Sequence, residues 1–68
     1  MTLDLETFAI GYFRVRPPPN PPTKGFVEAL ATSLLVHDPQ GMPLRFLRVE
    51  ARRLCDRWND GSLEHPLQ

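Results

Sequence analysis

The sequence contains a single cysteine, Cys55, and this excludes a small domain held together by disulfide bonds. It also lacks any stretch close to the ~20 apolar residues that a membrane-spanning helix requires. Near the N-terminus, Asp4 and Glu6 stand where a secretory signal would carry Lys or Arg. We therefore expect a cytoplasmic protein with no membrane partner.

Net charge is absent as well, because eight Lys and Arg residues balance eight Asp and Glu residues. A sequence pI near 6.7 does not favour a strongly cationic nucleic-acid module. The apolar content of 41% is that of a folded chain rather than a disordered one. With 68 residues the chain is too short for a multi-domain enzyme, and a domain of this size has a small core. These quantities predict one small domain, 1–68.

Catalytic and metal-binding patterns are missing too. Cys55 adjoins an apolar helical seam, and no spacing places His37 or His65 beside it together with a third, orienting group. There is no Cys-x-x-Cys or His-Glu-x-x-His motif, and the four glycines are dispersed rather than set in a phosphate-binding frame. We expect no enzyme activity, metal site, cofactor or small-molecule substrate.

Proline, by contrast, is concentrated: five of the eight prolines fall within residues 17–22. Because Pro fixes φ and has no N–H, this segment predicts a polyproline II linker. It separates an N-terminal segment, 1–16, from a body, 23–61, which a flexible tail, 62–68, follows. The pattern Arg16-x-x-Pro19-x-x-Pro22 also fits a ligand for aromatic grooves, but a rigid linker packed over aromatic side chains explains it better.

The body is predicted to be a helical hairpin. Thr23 suits the N-cap of a first helix that ends near Val36 or His37, and Asp38-Pro39-Gln40-Gly41 has the preferred residues of a type I turn. Apolar residues recur at the helical period in this first helix: Phe26, Val27, Leu30, Ala31, Leu34 and Leu35.

The second helix of the body is predicted to start near Pro43 and to stop at Asn59-Asp60-Gly61. Its apolar residues recur at spacings of three and four, as in a two-heptad seam: Leu44, Leu47, Ala51, Leu54 and Trp58. A seam of this kind can pair with a second copy of the chain across a two-fold axis, so we expect a homodimer or a permanent partner.

The N-terminal segment is open to two interpretations, a helix and a strand. Leu5, Phe8, Ala9, Tyr12 and Phe13 follow the helical period and predict a helix near 4–14, although several of these residue types also favour strands. The fold predicted is therefore mainly α: a three-helix unit with a polyproline II crossover and an antiparallel helical hairpin. The alternative is an α+β fold with an N-terminal strand and a β-hairpin around residues 38–41.

Arginines form the most informative pattern. Arg45, Arg48 and Arg52 step by three and four along one helical face, and Arg53 and Arg57 form a neighbouring pair. With Glu50 and Asp56 the charge from residue 45 to residue 57 is +3. Such a face can bind carboxylates on an acidic protein, lie on a nucleic-acid backbone, or remain solvated with its charges paired along the helix.

We expect a non-enzymatic protein that docks on a larger protein as a regulatory accessory subunit. The small core cannot hold all of its large apolar side chains, and apolar patches left outside usually mark an interface. The alternative is a nucleic-acid-binding or antitoxin-like module that uses the arginine-rich helix, which the neutral charge makes less favoured. The residues expected to bind a partner are Arg45, Arg48, Arg52, Arg53, Arg57, Trp58, Arg16, Pro19 and Pro22.

Overall fold

The computed structural model describes residues 5–37 and 41–63, and within these two ranges the chain forms three helices and no strand. Helix α1 spans Leu5–Val15, α2 spans Lys24–His37 and α3 spans Leu44–Asn59. The mainly-α prediction is confirmed, and the α+β alternative finds no support. The predicted turn at 38–41 lies, apart from Gly41, outside the described residues.

The start of each body helix follows from its local sequence. The side-chain hydroxyl oxygen of Thr23 accepts a hydrogen bond from the backbone N–H of Phe26 at 3.1 Å, which confirms Thr23 as the N-cap of α2. Pro43 lies at the N-cap of α3 rather than inside its first turn, and its side chain can make no capping hydrogen bond. Its carbonyl oxygen nevertheless accepts the first hydrogen bonds of the helix, from the N–H groups of Phe46 at 3.0 Å and Leu47 at 3.2 Å.

The end of α3 is a Schellman motif, the common glycine-dependent stop. The N–H of Ser62 donates to the carbonyl of Arg57 at 2.9 Å, and the N–H of Gly61 donates to the carbonyl of Trp58 at 3.1 Å. Gly61 has a φ of 85°, a left-handed backbone conformation that is energetically unfavourable for residues other than glycine. The motif turns Leu63 back into the core, where it is fully buried. Leu63 was assigned to the flexible tail from the sequence, and its burial corrects that prediction at this position; residues 64–68 lie outside the described ranges.

All three helices contribute to one core. Phe13 of α1 is its largest fully buried side chain, with its ring centroid 5.3 Å from that of Trp58 and 6.1 Å from that of Phe26. The predicted seam of α3 faces inward, since Leu47, Ala51 and Leu54 are completely buried. The buried residues of the core are Ala9, Phe13, Leu30, Ala31, Leu34, Leu47, Ala51, Leu54, Cys55 and Leu63.

The proline linker crosses from α1 to α2 and is fastened to α3. Pro18 is buried, and the side-chain amide of Asn59 donates a hydrogen bond to the carbonyl of Pro19 at 3.0 Å. The chain bends at Asn20 and Pro21, and the peptide bond between these two residues is cis. The hydrogen bond from Asn59 attaches the linker to the end of α3, while its stiffness and its packing over aromatic side chains stay predictions.

Candidate functional site

Helix α3 has an arginine face, defined here as Arg45, Arg48 and Arg52. A helix has 3.6 residues per turn, so steps of three and four place these residues on one side. All three are exposed, and so is Val49, which lies between them on the same side. The structure thus brings together the three arginines that the sequence predicted to act as a group, and adds an apolar side chain to them.

The partners of the arginine face leave part of its charge available. Arg48 forms an ion pair with Glu28 of α2, and Arg52 forms a longer one with Asp56, at 3.8 Å between side-chain atoms. Arg45 has no carboxylate partner within residues 5–37 and 41–63; its guanidinium carbon lies 5.3 Å from the centre of the Phe46 ring. Ion pairs as exposed as these contribute little to stability, so a partner's carboxylate can compete for the same guanidinium groups.

Two other predicted site residues have structural roles. Arg57 donates to the carboxylate of Glu6 at 2.7 Å and is only one-quarter exposed, so it links α3 to α1. Trp58 packs against the core beside Phe13. Arg53 remains on the surface in an (i, i+3) pair with Glu50 at 2.9 Å. The structure therefore separates Arg57 and Trp58 from the arginine face.

A shallow groove of about 530 Å³ lies beside the arginine face, between α2 and α3. We call it the α2–α3 groove. Its apolar residues are Pro22, Val27 and Val49, and its remaining lining residues are Lys24, Glu28, Arg48 and Arg52. The sequence interpretation missed Lys24, Val27 and Val49. Val49 could have been found from the sequence, because it is a single valine among arginines on the outer side of α3. Lys24 and Val27 could not, because their proximity to Val49 depends on how α2 packs against α3.

A second groove, of about 580 Å³, lies on α1. Arg16 lines it together with Phe8, Tyr12 and Val15, among others. The predicted ligand motif of Arg16, Pro19 and Pro22 is thus divided: Arg16 lies at one groove, Pro22 at the other, and the carbonyl of Pro19 is bonded to Asn59. These three residues do not line one groove.

Cys55 is a free cysteine inside the core. Burial, followed by the negative charge of Asp56, raises the pKa of its thiol from the ordinary 9.0 to about 11, and Arg52 opposes this only in part. At neutral pH the side chain is therefore a protonated thiol, which is a poor nucleophile. His37 lies elsewhere, with its ring centroid 4.7 Å from that of Phe8, and His65 falls outside the described residues.

Ligands for a metal ion are not grouped in the part of the chain that the structure describes, where no cluster of three or more His, Cys, Asp or Glu side chains occurs. In the same residues, no helix combines the length and the apolar character needed to cross a bilayer.

The middle of the seam that suggested a homodimer lies inside the chain itself. Leu47, Ala51 and Leu54 are fully buried in the core, so these three residues offer no surface to a second copy. Leu44 and Trp58, at the two ends of the seam, are only partly buried. Among residues 5–37 and 41–63, the exposed large apolar side chains are Val15, Leu35, Val36, Phe46 and Val49, so an apolar contact with a partner can use these and the two ends of the seam.

No protein-family model matches this sequence, and the searches found no significant match to a curated protein or to a solved structure.

Proposed function

We propose that this chain is a non-enzymatic interaction protein, a small cytoplasmic accessory subunit that regulates a larger protein by docking on it through the arginine face. The observation that carries the proposal is the grouping of Arg45, Arg48 and Arg52 on the exposed side of α3, next to an exposed Val49. Guanidinium groups form paired hydrogen bonds with carboxylates, which makes an acidic protein surface a suitable partner.

The composition of this side of α3 supports the proposal. Arg and aromatic side chains are enriched at protein interfaces, and here Phe46 is 53% exposed beneath the guanidinium group of Arg45. Val49 is 67% exposed between Arg48 and Arg52. A partner that covered this side would remove both apolar side chains from water while it paired with the arginines.

A nucleic-acid partner has less support. Glu28 and Asp56 lie against Arg48 and Arg52, and their negative charges would face a phosphate backbone at close range. The whole chain carries no net charge, so it has no wide basic field to attract a polyanion. A protein surface can instead present isolated carboxylates at the positions of the arginines.

The test uses two charge-reversal variants that change the net charge equally. The first carries Arg45→Glu on the arginine face, and the control carries Arg14→Glu near the end of α1. The natural partner is captured from lysate with the unmodified chain, and its association and dissociation rates are then measured for each variant. We expect the first variant to associate about tenfold more slowly and the control to change little.

Circular dichroism of both variants must show unchanged helicity, since both arginines are exposed. Equal effects of the two variants on association would contradict a specific role for the arginine face. Tight binding of the unmodified chain to random duplex DNA or RNA, steeply weakened by salt and lost in the first variant, would move the assignment to nucleic acid.

A further inference from the structure

We propose that the α2–α3 groove binds an acidic amphipathic helix of the protein partner, with an aliphatic side chain of that helix seated between Val27 and Val49 and its carboxylates at the cationic residues of the groove. This inference rests on the proposed function and adds the position of the site and the chemistry of its occupant. No residue of α1 lines the groove, so a helix placed there would lie against α2 and α3 without displacing α1.

The apolar lining residues of the groove favour an apolar anchor. Pro22, Val27 and Val49 have no polar side-chain atoms, and Val49 is mostly exposed in the free chain. A partner helix that covers Val49 removes this apolar surface from water, which is the usual driving force when an amphipathic helix binds in a groove. The sequence of such a helix has apolar residues at spacings of three and four, with polar residues between them.

The charged lining residues determine the charge of the occupant. Lys24, Arg48 and Arg52 line the groove as cations and Glu28 lines it as an anion, so these four residues carry a net charge of +2. Asp56, which pairs with Arg52 beside the groove, lowers the local total to +1, and the excess remains positive. Glu28 pairs with Arg48 and so helps to hold that guanidinium group in place. Lys24 is the first residue of α2, where the helix dipole adds further positive potential. Carboxylates of the partner are therefore attracted, and lysines are repelled.

The same charges argue against a second copy of this chain as the occupant. The helical carboxylates of the described residues are engaged with arginines of their own chain, and a second copy could offer them only by breaking those pairs. The pairs are Glu6 with Arg57, Glu28 with Arg48, Glu50 with Arg53, and Asp56 with Arg52. A separate partner with unpaired acidic side chains competes only with the pairs of Arg48 and Arg52, whereas a second copy would also have to free carboxylates of its own.

The probe is a synthetic amphipathic helical peptide made of Leu, Ala and Glu, compared with a peptide in which every Glu is replaced by Lys. Each is titrated into the full chain labelled with ¹⁵N and ¹³C, and the amide and methyl signals are followed by NMR. We expect the acidic peptide to shift the signals of Val27 and Val49, and the basic peptide to bind at least about tenfold more weakly. Equal binding of the two peptides, or shifts confined to Phe8, Tyr12 and Val15 of the second groove, would overturn the proposal.

Two valine variants separate the groove from exposed apolar surface in general. Val49→Ser removes the anchor contact and should weaken binding of the acidic peptide about fivefold. Val36→Ser is the matched control, because Val36 is 75% exposed on α2 and is not among the lining residues, and it should leave the affinity unchanged. An equal effect of both substitutions would be evidence against the groove.

The natural partner distinguishes a failure of this inference from a failure of the proposed function. If Arg45→Glu impairs partner binding while Val49→Ser leaves it unchanged, the arginine face is an interface and the groove is not its centre. If neither affects the partner, the proposed function fails together with the inference. If Val49→Ser and Arg45→Glu both weaken binding of the partner, and the acidic peptide competes with it, the inference stands.

Discussion

The two sides of α3 belong to one helix and differ in almost every physical property. The inner side, Leu47, Ala51, Leu54 and Cys55, has no solvent exposure, whereas the arginine face is exposed and charged. Burial of the inner side provides the free energy that holds three short helices together. The ion pairs of the outer side are mostly solvent-exposed, and such pairs are worth about 0–1 kcal/mol each. This contrast indicates that the inner side serves stability, whereas the outer side contributes little to it.

The largest expected effect comes from shortening one side chain on each side of α3 and comparing the two losses of stability. We expect Leu54→Ala to lower the free energy of unfolding by about 2–5 kcal/mol, because it deletes buried methyl groups and leaves a cavity. Val49→Ala is the control on the outer side and should change the free energy of unfolding by no more than about 0.5 kcal/mol. Urea denaturation followed by circular dichroism measures both. Similar losses for the two variants would mean that the outer side is also part of the stabilising core.

A second test uses the thiol of Cys55, whose pKa is raised from 9.0 to about 11 by burial and by the charge of Asp56. Between these two pH values the unfolded chain loses the thiol proton while the folded chain keeps it. The contribution of Cys55 to stability is therefore complete below pH 9 and is lost as the pH rises toward 11. The free energy of unfolding should fall by roughly 2 kcal/mol over this interval.

Cys55→Ala provides the reference for that measurement, because it keeps every other group that titrates in the same interval. The fall attributed to the thiol is the difference between the two proteins at each pH. Identical pH profiles for the two proteins would show that Cys55 is accessible to water, and that the inner side of α3 is less completely buried than the structure has it.

The smallest expected effect is the coupling energy of two ion pairs of α3 that differ in burial. Arg57 and Glu6 form a partly buried pair between α3 and α1, while Arg53 and Glu50 form a more exposed pair within α3. Double-mutant cycles with Gln at each position should give a coupling of about 0.5–1 kcal/mol for the first pair and less than about 0.5 kcal/mol for the second. A larger coupling for Arg53 and Glu50 would reverse the assignment of Arg57 as the structural arginine.

Much of the fold followed from local patterns in the sequence. Thr23 as N-cap and the glycine-dependent stop at Gly61 depend on a few neighbouring residues, so both were predictable. The heptad spacing of Leu47, Ala51 and Leu54 likewise identified the buried side of α3. That a second copy of the chain binds stays a prediction, because periodicity identifies an apolar side without identifying what covers it.

The candidate site was predictable only in part. The steps of three and four in Arg45, Arg48 and Arg52 placed them on one side, since helical geometry alone decides that. The proximity of Lys24 and Val27 to Val49 involves residues more than twenty positions apart and arises from the packing of α2 against α3. The pairing of Arg57 with Glu6 has the same origin, and it links Arg57 to α1.

The sequence by itself thus determined the two helices of the body, their principal ends and the side of α3 that carries its arginines, because each of these depends on dihedral preferences and hydrogen bonds within a few residues. It left the N-terminal segment open between helix and strand. Tertiary structure alone decided which arginines remain at the surface, that Leu63 joins the core, and that Pro22, Val27 and Val49 line one groove. These depend on distances between segments far apart in the chain, and such distances follow from the joint packing of side chains around Phe13 rather than from any local pattern.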